Sequence, residues 1–170
     1  MAPARWTLDT PAGPARIDLD RPSGKVRGLL VLGHGAGGGV DAADLLAVRD
    51  AAIALDIAVA RVTQPYRVAG RRAPAPASRL DEAWIAAVAA VRRRRGLSGL
   101  PVVVGGRSSG ARVACRTAAA CGADAVLALA FPVHPPGKPD KSRLDELDHV
   151  TVPVLVVQGD RDPFGMPPGR

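Results

Sequence analysis

The chain has 170 residues, 47% of them hydrophobic and 3% aromatic, with a formal net charge of +7. That length supports a single domain over residues 1–170, burying roughly 70% of its unfolded surface, and the hydrophobic fraction fits a globular α/β protein and argues against disorder. No apolar run reaches the ~18 residues of a membrane-crossing helix, and the opening MAPARWTLDT lacks the apolar core of a secretory signal, so the cytoplasm is the expected compartment.

RWTLDT, PAGP and ARIDLD predict a β-hairpin closed by a Pro/Gly turn. VRGLLVLG predicts a strand buried on both faces. The spacing of Leu45, Val48, Ala52 and Leu55 predicts a helix over 41–55. IAVARVT is the next strand, and YRVAGRRAPAPAS reads as a Pro-rich loop. A helix follows over 78–95, with Ser78 as N-cap and Asp81 and Glu82 in its first turn. PVVVGG is a strand and 109–121 a helix. DAVLALAFP is a strand, PVHPPGKPDKSRLDELDHV a loop with one short helical turn, and PVLVVQGDRDP the last strand and its exit. This alternation predicts an α/β fold: three layers around a doubly wound, mostly parallel sheet.

The charge raises the question of nucleic acid, and its distribution argues against it. Twenty arginines and three lysines are scattered, apart from Arg71-Arg72 and the run Arg92 to Arg95. The second run closes a helical pattern, where cations complement the helix dipole by about 0.3–1 kcal/mol each. Few aromatic platforms are present for stacking single-stranded bases. Nucleic-acid binding would show as retention on DNA with a steep salt dependence. Cys115 and Cys121 stand six apart without a CxxC pair, so both read as core or near-surface thiols, and no metal or cofactor is expected.

Ligands bind such sheets at the carboxyl ends of the strands. HGAGGG, GGRSSG, FPVHPPGKP and QGDRDPFG each follow a predicted strand. Gly106-Arg107-Ser108-Ser109-Gly110 fits G-x-S-x-G between a strand and a helix. A nucleophile on that sharp turn needs small neighbours two residues either side, which makes Ser108 the candidate nucleophile. The Ser109 N–H would sit at the helix N-terminus, where an oxyanion is favoured. A phosphate-binding Gly/Ser loop is the competing reading.

The glycine loop Gly33 to Gly38 suits a second oxyanion donor, assigned to the Ala36 N–H. The same loop fits GxGxxG, but Thr63-Gln64 stand where a dinucleotide site wants an acid after the next strand. His34 reads as a loop-packing residue beside the substrate site rather than as a base.

HGAGG, GGRSSG, FPVHPPGKP and QGDRDPFG together resemble the α/β-hydrolase superfamily, in its capless, dienelactone-hydrolase-like branch (the KANL/Tex-type group), over about Arg27 to Gly165. The resemblance implies a serine hydrolase with a Ser–acid–His triad in that chain order. It assigns Ser108 as nucleophile and Asp162, in Gly159-Asp160-Arg161-Asp162, as the acid. A plain turn cap before Pro163 is the alternative role for Asp162.

No histidine follows Asp162 before Arg170. The resemblance then implies a fold lacking its C-terminal helix-strand-helix and with it the general base, so that activity is impaired and the final strand's edge is exposed. His134 follows a strand on the active face and reads as lining the substrate pocket. His149 falls at the opposite end of the sheet. Two functions stay open: a hydrolase of an ester or related acyl substrate, with an open pocket formed by YRVAGRRAPAP and VHPPGKPD, or a non-catalytic scaffold or interaction module. Arg67, Arg71, Arg72 and Lys138 would favour an anionic substrate if they faced the pocket. Self-association through the sheet edge is a further expectation.

Overall fold

A computed structural model describes residues 2–169. Its sheet has seven strands: β1 (Ala4–Thr10), β2 (Gly13–Asp20), β3 (Gly28–Gly33), β4 (Ile57–Thr63), β5 (Val102–Arg107), β6 (Ala125–Leu129) and β7 (Val154–Val157). They lie in the order β1-β2-β4-β3-β5-β6-β7. The β1–β2 and β2–β4 pairs are antiparallel, and every pair from β4 across to β7 is parallel. The sheet is therefore mixed and mostly parallel, as the alternation of elements predicts.

The helices are α1 (Ala43–Ala54), α2 (Pro65–Val68), α3 (Ala77–Arg92), α4 (Ser109–Thr117) and α5 (Asp145–Asp148). Leu45 and Ala52 of α1 pack with Leu30, Leu32 and Val59 on one side of the sheet. Trp84 and Val88 of α3 and Ala111 and Ala114 of α4 pack with Val31, Ala60 and Val104 on the other. Each of β3 and β4 thus feeds both cores, and all of β3 is buried. An uninterrupted apolar run is what such a strand requires.

Charges tie the second layer together. Arg112 bonds both oxygens of Glu146, at 2.8 and 2.6 Å, and Arg116 bonds Asp81 of α3 at 2.9 and 2.7 Å while reaching Glu146 at 3.2 Å. Two arginines of α4 so hold α3 and α5. Such forked pairs add orientation as well as energy.

Several expectations need correction. Helix α3 begins one residue before Ser78, with Pro76 as N-cap and no capping side chain, so Asp81 and Glu82 lie beyond its first turn. The fixed φ of Pro76 sets the entry and displaces the serine into the helix. The arginine run extends past the helix, for α3 ends at Arg92 and Arg93, Arg94 and Arg95 are exposed beyond it. Arg92 donates to Cys121 O at 2.5 Å, Arg94 stacks 4.1 Å from the centroid of the Trp6 ring, and Arg95 O accepts from Arg21 at 2.9 Å. Leu55 is the C-cap of α1 and stays exposed instead of joining its apolar face. The Pro-rich loop opens with α2, since Pro65 at a first helical position is pre-organised for a turn.

Both cysteines are free and buried, and burial pushes the Cys115 thiol up to about 12. Strand β7 forms one edge of the sheet, with Leu155 and Val157 exposed. Among the described residues no helix is long and apolar enough to cross a membrane.

Candidate active site

The register brings the candidate residues together before any side chain is considered. Gly33, the last residue of β3, pairs with Gly106 of β5, and Arg107 pairs with Leu129 of β6. The chain turns at Ser108, whose N–H donates to Leu129 O at 2.9 Å, and α4 starts at Ser109. The glycine loop leaves β3 beside this turn. A Cβ on Gly35 would lie 3.7 Å from Ser108 Cβ.

The turn is strained. Ser108 has φ 53° and ψ −110°, a left-handed backbone for a residue with a side chain, which costs of order 1–3 kcal/mol. Its neighbours have no room for a Cβ. One built on Gly106 would lie 2.5 Å from Gly33 O, and one on Gly110 2.5 Å from both Gly33 C and Gly33 O. Strand β3, the end of β5 and the start of α4 are therefore in backbone contact, for which only glycine is small enough.

Ser108, Ser109 and Ala36 are half-buried. Among the described residues Ser108 Oγ makes no hydrogen bond, and the N–H groups of Ala36 and Ser109 have no acceptor. The start of α4 directs its unpaired N–H groups and the positive end of its dipole towards the space beside Ser108. Arg107, exposed, pairs with Asp44 in the first turn of α1 at 2.8 Å and ties the turn to that helix.

Two loops meet at the carboxyl ends of β6 and β7. Val133 N–H donates to Phe164 O at 2.9 Å, and Gln158 Nε2 bridges Phe131 O and Gly165 O at 3.1 and 2.9 Å. Asp162, half-buried, accepts the Phe164 N–H on Oδ1 at 2.8 Å, so it does cap its turn. Its Oδ2 takes no bond from the described residues. Asp160 is exposed beside Arg161. His134 is half-buried, with Nδ1 on Pro135 O at 2.9 Å and its ring edge-on to Phe164 at 6.4 Å.

None of the three histidines bonds Ser108. His149 engages Asp145 O at the C-terminal end of α5. His34 is 2% exposed; its Nδ1 meets Gly35 O at 2.8 Å and its Nε2 accepts the Gln64 N–H at 3.0 Å. Both of its nitrogens are thus bonded within the chain and its ring is enclosed. Of the four cations considered for an anionic substrate, Arg67 folds back on Arg71 O at 3.2 Å, and Arg71, Arg72 and Lys138 are exposed.

The sequence names Gln64 only as evidence against a dinucleotide site and Tyr66 only as the start of a pocket-forming segment, and both are part of this site. Tyr66 O–H donates to Ala36 O at 2.8 Å, and Gln64 Nε2 to Leu80 O at 3.1 Å. The available signal was Pro65 directly after Gln64, which marks a helix start rather than a loose loop. Among the described residues no three His, Cys, Asp or Glu side chains gather as a metal site.

Comparison with solved structures places this architecture. The chain superposes on an alpha-beta serine hydrolase homologue from Coxiella burnetii with a TM-score of 0.78 at 20% identity, covering 94% of this chain and 75% of that one. For an a/b serine hydrolase without a lid from Xanthomonas campestris the values are 0.74, 25%, 94% and 72%. For a dienelactone hydrolase from Anabaena variabilis they are 0.70, 20%, 95% and 76%. No curated protein matches the sequence significantly. A family model described as an alpha/beta hydrolase domain matches residues 26–168.

Two predictions follow from the strain and the burial. Ser108→Gly relieves the left-handed backbone and should raise stability by about 1 kcal/mol, read as a higher urea midpoint. Burial, aided by Arg67 and Arg16 and opposed by Gly35 O, holds the His34 imidazole below its ordinary 6.5. The folded protein keeps it neutral while the unfolded chain protonates, so its contribution is full above about pH 6.5 and is lost as pH falls from there towards the folded value. His34→Asn should flatten that part of the fall in urea midpoint on the acid side of pH 6.5.

Proposed function

The chain belongs to the alpha/beta hydrolase domain family, and from that premise we propose that it is a serine hydrolase of an ester or related acyl substrate, with Ser108 as nucleophile. The observation that carries this reading is the left-handed Ser108 at the head of α4, between two glycines with no room for a Cβ and beside two unclaimed N–H groups. A mere Gly/Ser connection has no need of that strain.

In this reading Ser108 Oγ adds to the substrate carbonyl and its proton passes to water. The carbonyl oxygen becomes an oxyanion, held by the N–H groups of Ala36 and Ser109. The bond to the alcohol breaks as water protonates the leaving oxygen, and a second water releases the acyl group. Asp162 is the acid of the constellation, and His134 with Phe164 lines the acyl pocket.

A serine without a base is a weak nucleophile. Among the described residues no histidine bonds Ser108, each Nδ1 meeting a backbone carbonyl instead. Loss of one triad member commonly lowers kcat about 10⁴-fold, while the oxyanion donors keep a residual rate. The engaged histidines also favour the second reading, a non-catalytic scaffold, for which the exposed Leu155 and Val157 on β7 would offer a contact surface.

The two readings separate under a fluorophosphonate. The hydrolase should slowly gain one phosphonyl group on Ser108, seen by mass spectrometry of the intact chain and its peptides. Ser108→Ala should gain none and should hydrolyse 4-nitrophenyl acetate at least about tenfold more slowly. An unlabelled chain whose ester hydrolysis is indifferent to Ser108→Ala would favour the scaffold.

A further inference from the structure

The Ala36 N–H belongs to the peptide whose carbonyl is Gly35 O. That oxygen accepts two bonds, from His34 Nδ1 at 2.8 Å and from the Gly38 N–H at 3.1 Å. The peptide is trans, for the chain has no cis bonds among the described residues, so C=O and N–H point in opposite directions. Holding Gly35 O from inside the molecule therefore aims the Ala36 N–H outward. The next carbonyl, Ala36 O, is held separately by Tyr66 O–H at 2.8 Å.

The donor role of His34 is fixed by its other nitrogen. A neutral imidazole has one donor and one acceptor nitrogen. The Gln64 N–H, at the end of β4, points at Nε2 from 3.0 Å. Nε2 must accept, which puts the proton on Nδ1, where Gly35 O needs it. Arg67 of α2 and Arg16 of β2 oppose a second proton on the ring, and the Tyr66 ring lies against it at 5.9 Å. The end of β4 so sets a tautomer, the tautomer holds a carbonyl, and the carbonyl orients an N–H.

We propose that His34 is a positioning residue: braced by Gln64 and assisted by Tyr66, it orients the Ala36 N–H as an oxyanion donor. This rests on the reading of Ser108 as nucleophile. The role differs from that of a base, since neither nitrogen is free to take a proton from Ser108.

The test pairs phenylboronic acid binding with steady-state hydrolysis of 4-nitrophenyl acetate. Boronic acid adds to a serine Oγ as a tetrahedral anion, so its affinity reports the oxyanion donors without needing turnover. His34→Leu should weaken boronate binding and lower kcat by roughly 10²-fold, with KM changed by less than about twofold, because the interaction forms only in the transition state. His34→Asn, which keeps a donor at the Nδ1 position, should recover part of the loss. Tyr66→Phe should act in the same direction by about three- to tenfold, and it decides the matter if His34→Leu does not fold. Boronate affinity and kcat unchanged in folded His34→Leu, or in Tyr66→Phe where that variant decides, would overturn the proposal and leave the nucleophile standing. Wild-type protein that binds boronate no better than Ser108→Ala would overturn the reading of Ser108 and this inference with it.

Discussion

The site depends on backbone-to-backbone contact at Gly33. This last residue of β3 touches both Gly106, before the turn, and Gly110, after it, at distances that admit no side chain on either. The contact lets β5 reverse into α4 within one residue, and Ser108 takes the left-handed backbone that such a reversal needs. A looser junction would relax the turn and carry the serine away from the glycine loop. The strain of about 1–3 kcal/mol is small beside the burial of the flanking strands, and Ser108 Oγ has no hydrogen bond among the described residues.

The electrostatics follow from the same junction. Helix α4 begins at the turn, so its unpaired N–H groups face the mouth of the site. The glycine loop lies alongside, its carbonyls tied inward by His34, Gly38 and Tyr66. Carbonyls inward and N–H groups outward make a surface suited to negative charge without a cationic side chain. That arrangement explains why the arginines contribute so little here. Arg112 and Arg116 are spent on Glu146 and Asp81, Arg107 on Asp44, and Arg21 on the Arg95 carbonyl.

What could be read from the sequence was what local sterics dictate. Strand β3 is apolar throughout because both its faces are covered, and Gly106 and Gly110 flank Ser108 because nothing larger fits. The limits lay in contacts between distant segments. Tyr66 reaches Ala36 only because β4 pairs with β3, a register that no local pattern displays. Arg112 meets Glu146 across 34 positions of chain. Ser78 had the composition of an N-cap but lost the position to Pro76, whose ring fixes the helix entry. The run Arg92 to Arg95 reads as the close of one helix, yet the Arg92 side chain reaches Cys121 O, Arg94 covers Trp6 and the Arg95 carbonyl meets Arg21.

The most direct test is a crystal structure of the chain after reaction with a small arylboronic acid. Boron should be bonded to Ser108 Oγ, with one boronate oxygen about 2.7–3.1 Å from the N–H groups of both Ala36 and Ser109. Boron on another residue, or a boronate on Ser108 whose oxygens all face away from those two N–H groups, would contradict it.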